Sequence, residues 1–469
     1  MEFTEEEEKT ILKQKNAILK GVPSLDVIRP CRPQDGIVQI TDEEKASLKN
    51  RFKQLQKSIS FFIPASGSGS RMFQFLYDYL DKTTETNQAQ TEQFIRRLQS
   101  FALYSQFPAD VRKKVEDFSL TIEELIHFLL GESGLNFGAF PKGLIPFHSM
   151  GPFILNPFQE QLIQGSLLQN SPISFHFTIQ KAFEQHFQSA IQHLSAMTGD
   201  VYPVSYSEQD AASNSYAFEE DGSLALNTDG SAIRRPAGHG TLLTNLSKIN
   251  SDYVLVKNID NLQHFRKSEE TLEQWAYLIG LLDEVKESFH ALNKHPSLSD
   301  FKKLNNRLQI ITEEECSNLM DESELLKLIN RPLRVCGMVL NEGQPGGGPF
   351  YLRKNGTIRK QIVEKAQLAN TDKINDLLMQ STHFNPVMMV LDFKDFRGEN
   401  YDLSKFKEDS NYFIVEKNHH GRRIRFIEQP GLWNGGMAHW NTVFVEIPNE
   451  VFTPVKTVLD LLHPAHQAD

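Results

Sequence analysis

Apolar and polar positions along this chain switch between a helical and a strand-like period. Near the start, Ile11, Leu12, Ile18 and Leu19 recur at helical spacing, and Gly21 ends the run. A second helix is predicted over 41–57, opened by the capping sequence TDEE. The texture then changes. SISFFIP (58–64) is a short run rich in aromatic and β-branched residues that ends in a Ser/Gly loop, the pattern of a parallel strand buried on both faces. Residues 73–135 return to a helical period, interrupted by TTETNQAQT. Further strands are predicted at 174–180, 200–207 and 253–260. A helix over 181–198 separates the first two, with Phe183, Phe187, Ile191 and Leu194 on one face. The stretch 268–330 reads as helical. Beyond Leu333 the pattern is strands again, at 333–341, 349–356, 387–393, 411–417, 423–429 and 442–448, with a closing helix over 455–462. Strand–helix–strand alternation of this kind predicts an α/β protein with a doubly wound sheet.

Composition narrows the function more than the fold. The 469 residues suffice for two to three domains, or for one large α/β domain with insertions. Lys and Arg number 49 against 60 Asp and Glu, a net charge of −11, which argues against nucleic acid as a partner because neutralising many phosphates needs a basic face. The three cysteines, Cys31, Cys316 and Cys336, form no CxxC pair, so neither a disulfide framework nor a structural zinc site is expected and a reducing cytoplasm fits best. The start, MEFTEEEEKT, is acidic where a signal peptide needs basic residues. No run of about 18 uninterrupted apolar residues exists, so no membrane span is expected.

The chemistry-bearing motifs begin at the end of the first strand. Ser66-Gly67-Ser68-Gly69-Ser70-Arg71-Met72 lacks the Lys of a P-loop and the third Gly of a dinucleotide fingerprint. It is close to the G-G-x-G-T-R-M loop of nucleotidyltransferases, with Ser66 in place of the first Gly. Glycines there let backbone N–H groups approach phosphate oxygens, and Arg71 offers a planar fork of donors. The other reading is a plain surface turn. In FGAFPKGLIPFH (137–148), Lys142 between Pro141 and Gly143 would set a compact cation against phosphate, although it follows Arg71 by 71 positions. In the segment 234–262, Gly238-His239-Gly240 opens a helix in a way suited to contacting a base, ribose or phosphate. YVLVKNID places Asp260 at a strand end, either to hold Mg²⁺ against substrate phosphates or to cap a loop. Gln209 is placed to read a base edge.

PASGSGSRM, FPKGLIPFH, GHGTLLTNL, VKNIDN, CGMVLNEGQPGGGPF and HFNPVMMVLDF together resemble the bacterial domain-of-unknown-function family 4301 over residues 58–450. Several of these motifs are also similar to UDP-sugar pyrophosphorylases. The resemblance implies a GT-A/Rossmann-like, mixed and mostly parallel sheet flanked by helices, and a metal-ligand role for Asp260 beside a Gly238–Gly240 nucleotide contact. It implies no assigned reaction, because family 4301 has none. Glu364-Lys365 is similar to the pair that contacts the sugar in several nucleotidyltransferases, and serves equally as a strand-edge ion pair. Gly347 in NEGQPGGGPFYL (341–352), Asn385 in HFNPV, and Asn434 and Asn441 in QPGLWNGGMAHWNT complete the candidate sugar contacts, the last two beside Trp433, His439 and Trp440.

The expected organisation is a helical N-terminal extension (1–57), an α/β domain (58–450) with helical insertions at 73–135 and 268–330, and a C-terminal helix and tail (451–469). The expected activity is Mg²⁺-dependent transfer of a nucleotidyl group from a nucleoside triphosphate to a sugar 1-phosphate, releasing pyrophosphate. Arg71, Lys142 and Asp260 would be the catalytic groups. The alternatives are a non-catalytic nucleotide-sugar binding protein and a GT-A glycosyltransferase. The latter usually carries D-x-D where this chain has N-I-D-N.

Overall fold

The Glu5–Lys20 helix stands where the apolar period predicts it, with Thr4 and Glu7 closing a capping box at its start and Gly21, at φ +84°, ending it. In the computed structural model the described residues are 3–168, 173–343, 347–368 and 370–468, and they form two units. The first comprises Met1–Phe52, Gln209–Leu255 and Tyr277–Pro448. The second comprises Lys53–Glu208, Val256–Ala276 and Asn449–Asp469. The fold class is α/β, with parallel as well as antiparallel strand pairing.

Three parallel strands organise the second unit. Ile59–Pro64 pairs with Ile173–Thr178, which pairs with Val204–Ser207. Residues 59–63 are buried throughout, because both faces of the strand are covered. Phe61 stacks on Phe175 at 5.4 Å between ring centroids and meets Trp275 edge-on at 5.7 Å. The Pro157–Ser166 helix, started by the Asn156/Gln159 capping box, sends Phe158 against Phe177 (4.6 Å) and Phe187 (4.9 Å). His176 lies between two hydroxyls, Nδ1 to Ser205 Oγ and Nε2 to Ser207 Oγ, both at 2.8 Å.

The predicted helical stretch 73–135 holds four helices, Gln74–Asp81, Glu85–Arg96, Ala109–Glu116 and Ile122–Leu130. They gather around a separate apolar cluster that includes Phe73, Phe94, Leu129 and Ile145, and residues Val458 and Leu461 of the closing segment join it. That segment is not the regular helix predicted over 455–462. It is two short 3-10 turns, Val458–Leu462 and Pro464–His466, because Pro464 forces His463 out of helical backbone (ψ 143°). A buried carboxylate ties it down. Glu160 accepts hydrogen bonds from Gln164 Nε2 (3.0 Å) and His148 Nδ1 (2.8 Å), and His148 Nε2 meets His466 Nδ1 at 3.0 Å.

In the first unit, Leu333–Leu340 pairs in parallel with Asn441–Glu446 and antiparallel with Met389–Asp392 and His383–Phe384. A second sheet joins Asp26–Pro30, Gly348–Lys354 and Thr357–Val363, all antiparallel. A third runs Arg234–Arg235, Ser215–Phe218, Arg422–Glu428, Phe413–His419. The period did not announce Asp26–Pro30, which falls in the stretch read as helical. DVIRP is short, its polar residues stand at the first and fourth positions with no two-residue alternation, and its partner lies more than 300 residues away. The strand predicted over 253–260 stops at Val256. Lys257 N–H still donates to Phe62 O (3.4 Å), but the carbonyls of Asn258 and Ile259 turn to Gln161 Nε2 instead. Residues 344–346 of the Gly-rich turn lie outside the described residues. Among the described residues, no helix is long and apolar enough to cross a membrane.

Two predictions follow from the packing of the second unit. Phe158→Ala removes the ring shared by Phe177 and Phe187 and should cost about 3–5 kcal/mol in urea denaturation; a loss under 1 kcal/mol would show the ring is not a keystone. His176 is held down to about 4 by burial, against 6.5 for the free side chain. The unfolded chain therefore binds this proton first as pH falls. His176's contribution is complete above pH 6.5 and is lost between 6.5 and 4, on the order of 3 kcal/mol in all. The stability difference between wild type and His176→Asn should shrink across that window; a pH-independent difference would refute the assignment.

Candidate functional site

The Ser66–Arg71 loop is the direct continuation of the Ile59–Pro64 strand. A cross-chain pairing shapes it. Ser68 bridges to Pro141, Lys142 N–H donates to Gly67 O (3.1 Å), and Gly69 N–H donates to Phe140 O (2.8 Å). Gln180 Nε2 fastens the Ser66 carbonyl at 2.6 Å. The Gly-rich loop and the PKG segment are thus zipped together despite the helices between them. Two of the loop N–H groups expected to face phosphate are used internally: Gly69 on Phe140, and Ser70 on Ser68 Oγ (3.1 Å). Gly67, Ser68 and Arg71 are exposed, and the Arg71 guanidinium forms no hydrogen bond or ion pair with a described residue.

Lys142 begins a 3-10 turn, Lys142–Leu144, and its Nζ donates to Asp260 Oδ2 at 2.7 Å, with 14% and 23% of the two side chains exposed. Asp260 is fixed from behind, since Val455 N–H donates to its carbonyl (3.0 Å). Two of the three predicted catalytic residues are therefore in contact, and the third, Arg71, projects from the same zipped loop. Lys257, three positions before Asp260, is buried, and its ammonium meets no described hydrogen-bond partner; burial lowers its pKa to about 8 while Glu160 pulls the other way. Among the described residues no group of three or more His, Cys, Asp or Glu is arranged to hold a metal. The donor set still fits Mg²⁺ that takes one carboxylate, Asp260, and otherwise phosphate oxygens and water.

A second constellation lies within the first unit. His239 and Glu364 meet at 3.2 Å (Nε2 to Oε1), Asn434 Nδ2 reaches the same Oε1 at 3.0 Å, and the Trp433 indole also donates to Glu364. Leu432 N–H donates to His239 Nδ1 (3.1 Å), so in the neutral imidazole the proton sits on Nε2, facing the carboxylate. Burial pushes the Glu364 carboxyl up, but the donors from His239, Asn434 and Trp433 outweigh it and hold it below the usual range. The Trp433 and His239 rings lie 4.2 Å apart. Bare backbone permits this closeness: a methyl at Gly240 would collide with the Pro430 carbonyl, and one at Gly431 with the His239 ring. Two buried amide atoms in the group, Asn434 Oδ1 and Gln367 Nε2, have no partner. His239, predicted as a nucleotide contact, and Glu364 and Asn434, predicted as sugar contacts, thus share one cluster.

Other predicted residues lie elsewhere or do structural work. Asn385 spends both polar groups on backbone, Nδ2 on Gly337 O and Oδ1 on Val387 N–H. Asn441 is 1% exposed and donates to Leu328 O. Gly347 is buried, its carbonyl taken by Asn385 N–H. Lys365 is exposed, and Gln209 Nε2 is buried without a partner. The sequence reading missed Gln367 altogether and gave no link between Trp433 and Glu364; only the Gly-rich WNGG stretch hinted at a backbone tight enough to bring them together.

Solved structures with a similar chain course include a UDP-glucose phosphorylase from Trypanosoma brucei, 13% identical with a TM-score of 0.48, covering 98% of this chain and 75% of that one. A UDP-glucose pyrophosphorylase from Leishmania major is 13% identical with a TM-score of 0.46, covering 97% and 74%. A putative UDP-N-acetylglucosamine pyrophosphorylase from Entamoeba histolytica is 13% identical with a TM-score of 0.43, covering 91% and 82%. A search of curated proteins returns no match. The family model described as "Domain of unknown function (DUF4301)" matches residues 1–467, and the chain belongs to that family.

Proposed function

We propose that this protein is a pyrophosphorylase-type nucleotidyltransferase, joining a nucleoside triphosphate and a sugar 1-phosphate with release of pyrophosphate. The observation that carries the reading is the Lys142–Asp260 pair set against the zipped Ser66–Arg71 loop. A cation, a carboxylate and an exposed Gly/Ser loop bearing a free guanidinium are the groups that bound triphosphate demands.

In this reading the sugar phosphate oxygen attacks the α-phosphorus in line, the phosphorus–oxygen bond to pyrophosphate breaks, and little covalent chemistry falls to the protein. Arg71 and the Gly67 and Ser68 N–H groups bind the phosphate chain, and Lys142 stabilises the charge that builds during transfer. Asp260 orients Lys142 and would hold Mg²⁺, which supplies charge neutralisation across the phosphates when bound. Glu364, with His239, Asn434 and Trp433, has the chemistry to hold a hydroxyl-rich ring, a carboxylate beside an aromatic face. The unpartnered Asn434 Oδ1 and Gln367 Nε2 add an acceptor and a donor.

Lys142→Met and Asp260→Asn should each lower kcat/KM for pyrophosphate release by at least about a hundredfold, the scale seen for loss of one preorganised charge in a site. Their far-ultraviolet circular dichroism should stay that of wild type. Wild-type protein that releases no pyrophosphate across a panel of nucleoside triphosphates and sugar phosphates, yet is stabilised by a nucleotide sugar, would select the binding-protein alternative.

A further inference from the structure

One place inside the first unit holds far more positive than negative charge. Arg331, Arg359 and Lys360 line a narrow cleft together with Glu315, His439 and Trp440. Arg334, 1% exposed, stands beside it and donates through Nε to Thr442 Oγ1, another residue of the cleft, at 2.9 Å. Four cations therefore share a single lining carboxylate, Glu315, and that one is engaged by Arg359 at 3.0 Å. Among the described residues the Arg334 guanidinium otherwise meets only the Trp433 carbonyl (2.6 Å), and Lys360 donates to the carbonyls of Gly36, Gln309 and Thr442. Arg331 forms no hydrogen bond or ion pair with a described residue. Burial and the neighbouring Arg359 lower its pKa, against the pull of Glu315. His439 adds no negative charge: Arg359 Nη1 lies 2.8 Å from its Nδ1, its Nε2 lies 3.5 Å from Glu408, and burial with the neighbouring Arg359 lowers its pKa against the pull of Glu408. Cations withdrawn from water without partners are costly, and a fold that keeps several together leaves a debt of negative charge.

Two unmatched donors lie in the same region. Trp440 Nε1–H and Gln361 Nε2–H are buried without a partner, in side chains 6% exposed. Gln361 lines a cavity of about 270 Å³ that shares Arg359, Ala438 and His439 with the cleft. The acids of that cavity are Asp26, exposed at the start of its strand, and Glu408, which is already claimed by Lys354 (2.6 Å) and Ser410 Oγ (2.8 Å). Among the described residues neither acid meets Arg331, Trp440 Nε1 or Gln361 Nε2, and these donors still lack a negatively charged acceptor.

We infer that this cavity binds a small molecule through an oxyanion group, phosphate or carboxylate, seated at its Arg359–His439 end within reach of Arg331 and the orphaned Trp440 and Gln361 donors. All of these residues belong to one unit, and none is assigned a part in nucleotidyl transfer. The site therefore stands whether or not the protein turns over a nucleotide.

The test is a thermal-shift titration of the full chain with orthophosphate, pyrophosphate and acetate, each against potassium chloride at matched ionic strength. A saturable rise in Tm with at least one oxyanion, absent with chloride, is expected. A response to the phosphates alone marks a phosphoryl ligand, and one to acetate alone a carboxylate. Arg331→Gln and Trp440→Phe should each abolish the part of the rise that belongs to this site. Trp440→Phe keeps an aromatic ring and deletes the unmatched donor; the smaller ring costs some packing, so its response is read against its own anion-free Tm. It thus decides the matter if Arg331→Gln does not fold. No oxyanion-specific rise, or a rise of unchanged size in Trp440→Phe, overturns the inference.

Discussion

An ammonium and a carboxylate that are 118 positions apart in sequence, Lys142 and Asp260, hold the candidate catalytic region of the second unit in place. The pair is only partly exposed, so it escapes most of the screening that makes surface ion pairs nearly worthless. Its geometry is not an isolated coincidence. Lys142 is where it is because its segment pairs with the Gly-rich loop, and that loop is where it is because the buried Ile59–Pro64 strand delivers it. Asp260 is where it is because the chain leaves its strand after Val256 and is caught by Gln161 on one side and by Val455 on the other. Each contact is ordinary. Together they leave the pair few other positions.

The two clusters solve the problem of burying polar groups differently. In the second unit, the buried Glu160 carboxylate takes His148 and Gln164 as donors, while Gln164 Oε1 itself has no partner. In the first unit, Glu364 gathers His239, Asn434 and Trp433 and still leaves amide atoms of Asn434 and Gln367 unmatched nearby. A satisfied network rigidifies; an unsatisfied one points to something that completes it. Both contain a glutamate beside a histidine and both leave an amide atom unmatched, so exposure is what separates them: the His148 and Glu160 side chains are fully buried, whereas those of His239 and Glu364 are 27% and 30% exposed.

Much of the architecture was legible in the sequence because it is periodic. The Phe-rich helical face, the SISFFIP strand and the helical stretch 73–135 carry their own repeat, and the Ser66–Met72 loop is marked by residues that few other settings require. What escaped was non-local. Asp26–Pro30 has no strand-like repeat of its own and exists because Gly348–Lys354 offers it an edge. Asn385 and Asn441 carry amides suited to a sugar, yet each is consumed by backbone groups that only the folded chain brings near. The Arg331–Arg359–Lys360 group was invisible for the same reason: its members are ordinary cations in sequence, and only burial makes their company notable.

The bond between His148 and His466 also bears on the order in which this protein can be made. As the chain emerges from a ribosome, the partner strands Ile59–Pro64 and Ile173–Thr178 become available early, and so does the carboxylate of Glu160. The imidazole that completes the chain of hydrogen bonds behind that carboxylate arrives only when residue 466 has been added. Until then His148 must face water or a substitute donor. The second unit therefore cannot complete this network before residue 466 has been added, and until then its nascent form keeps that interior open.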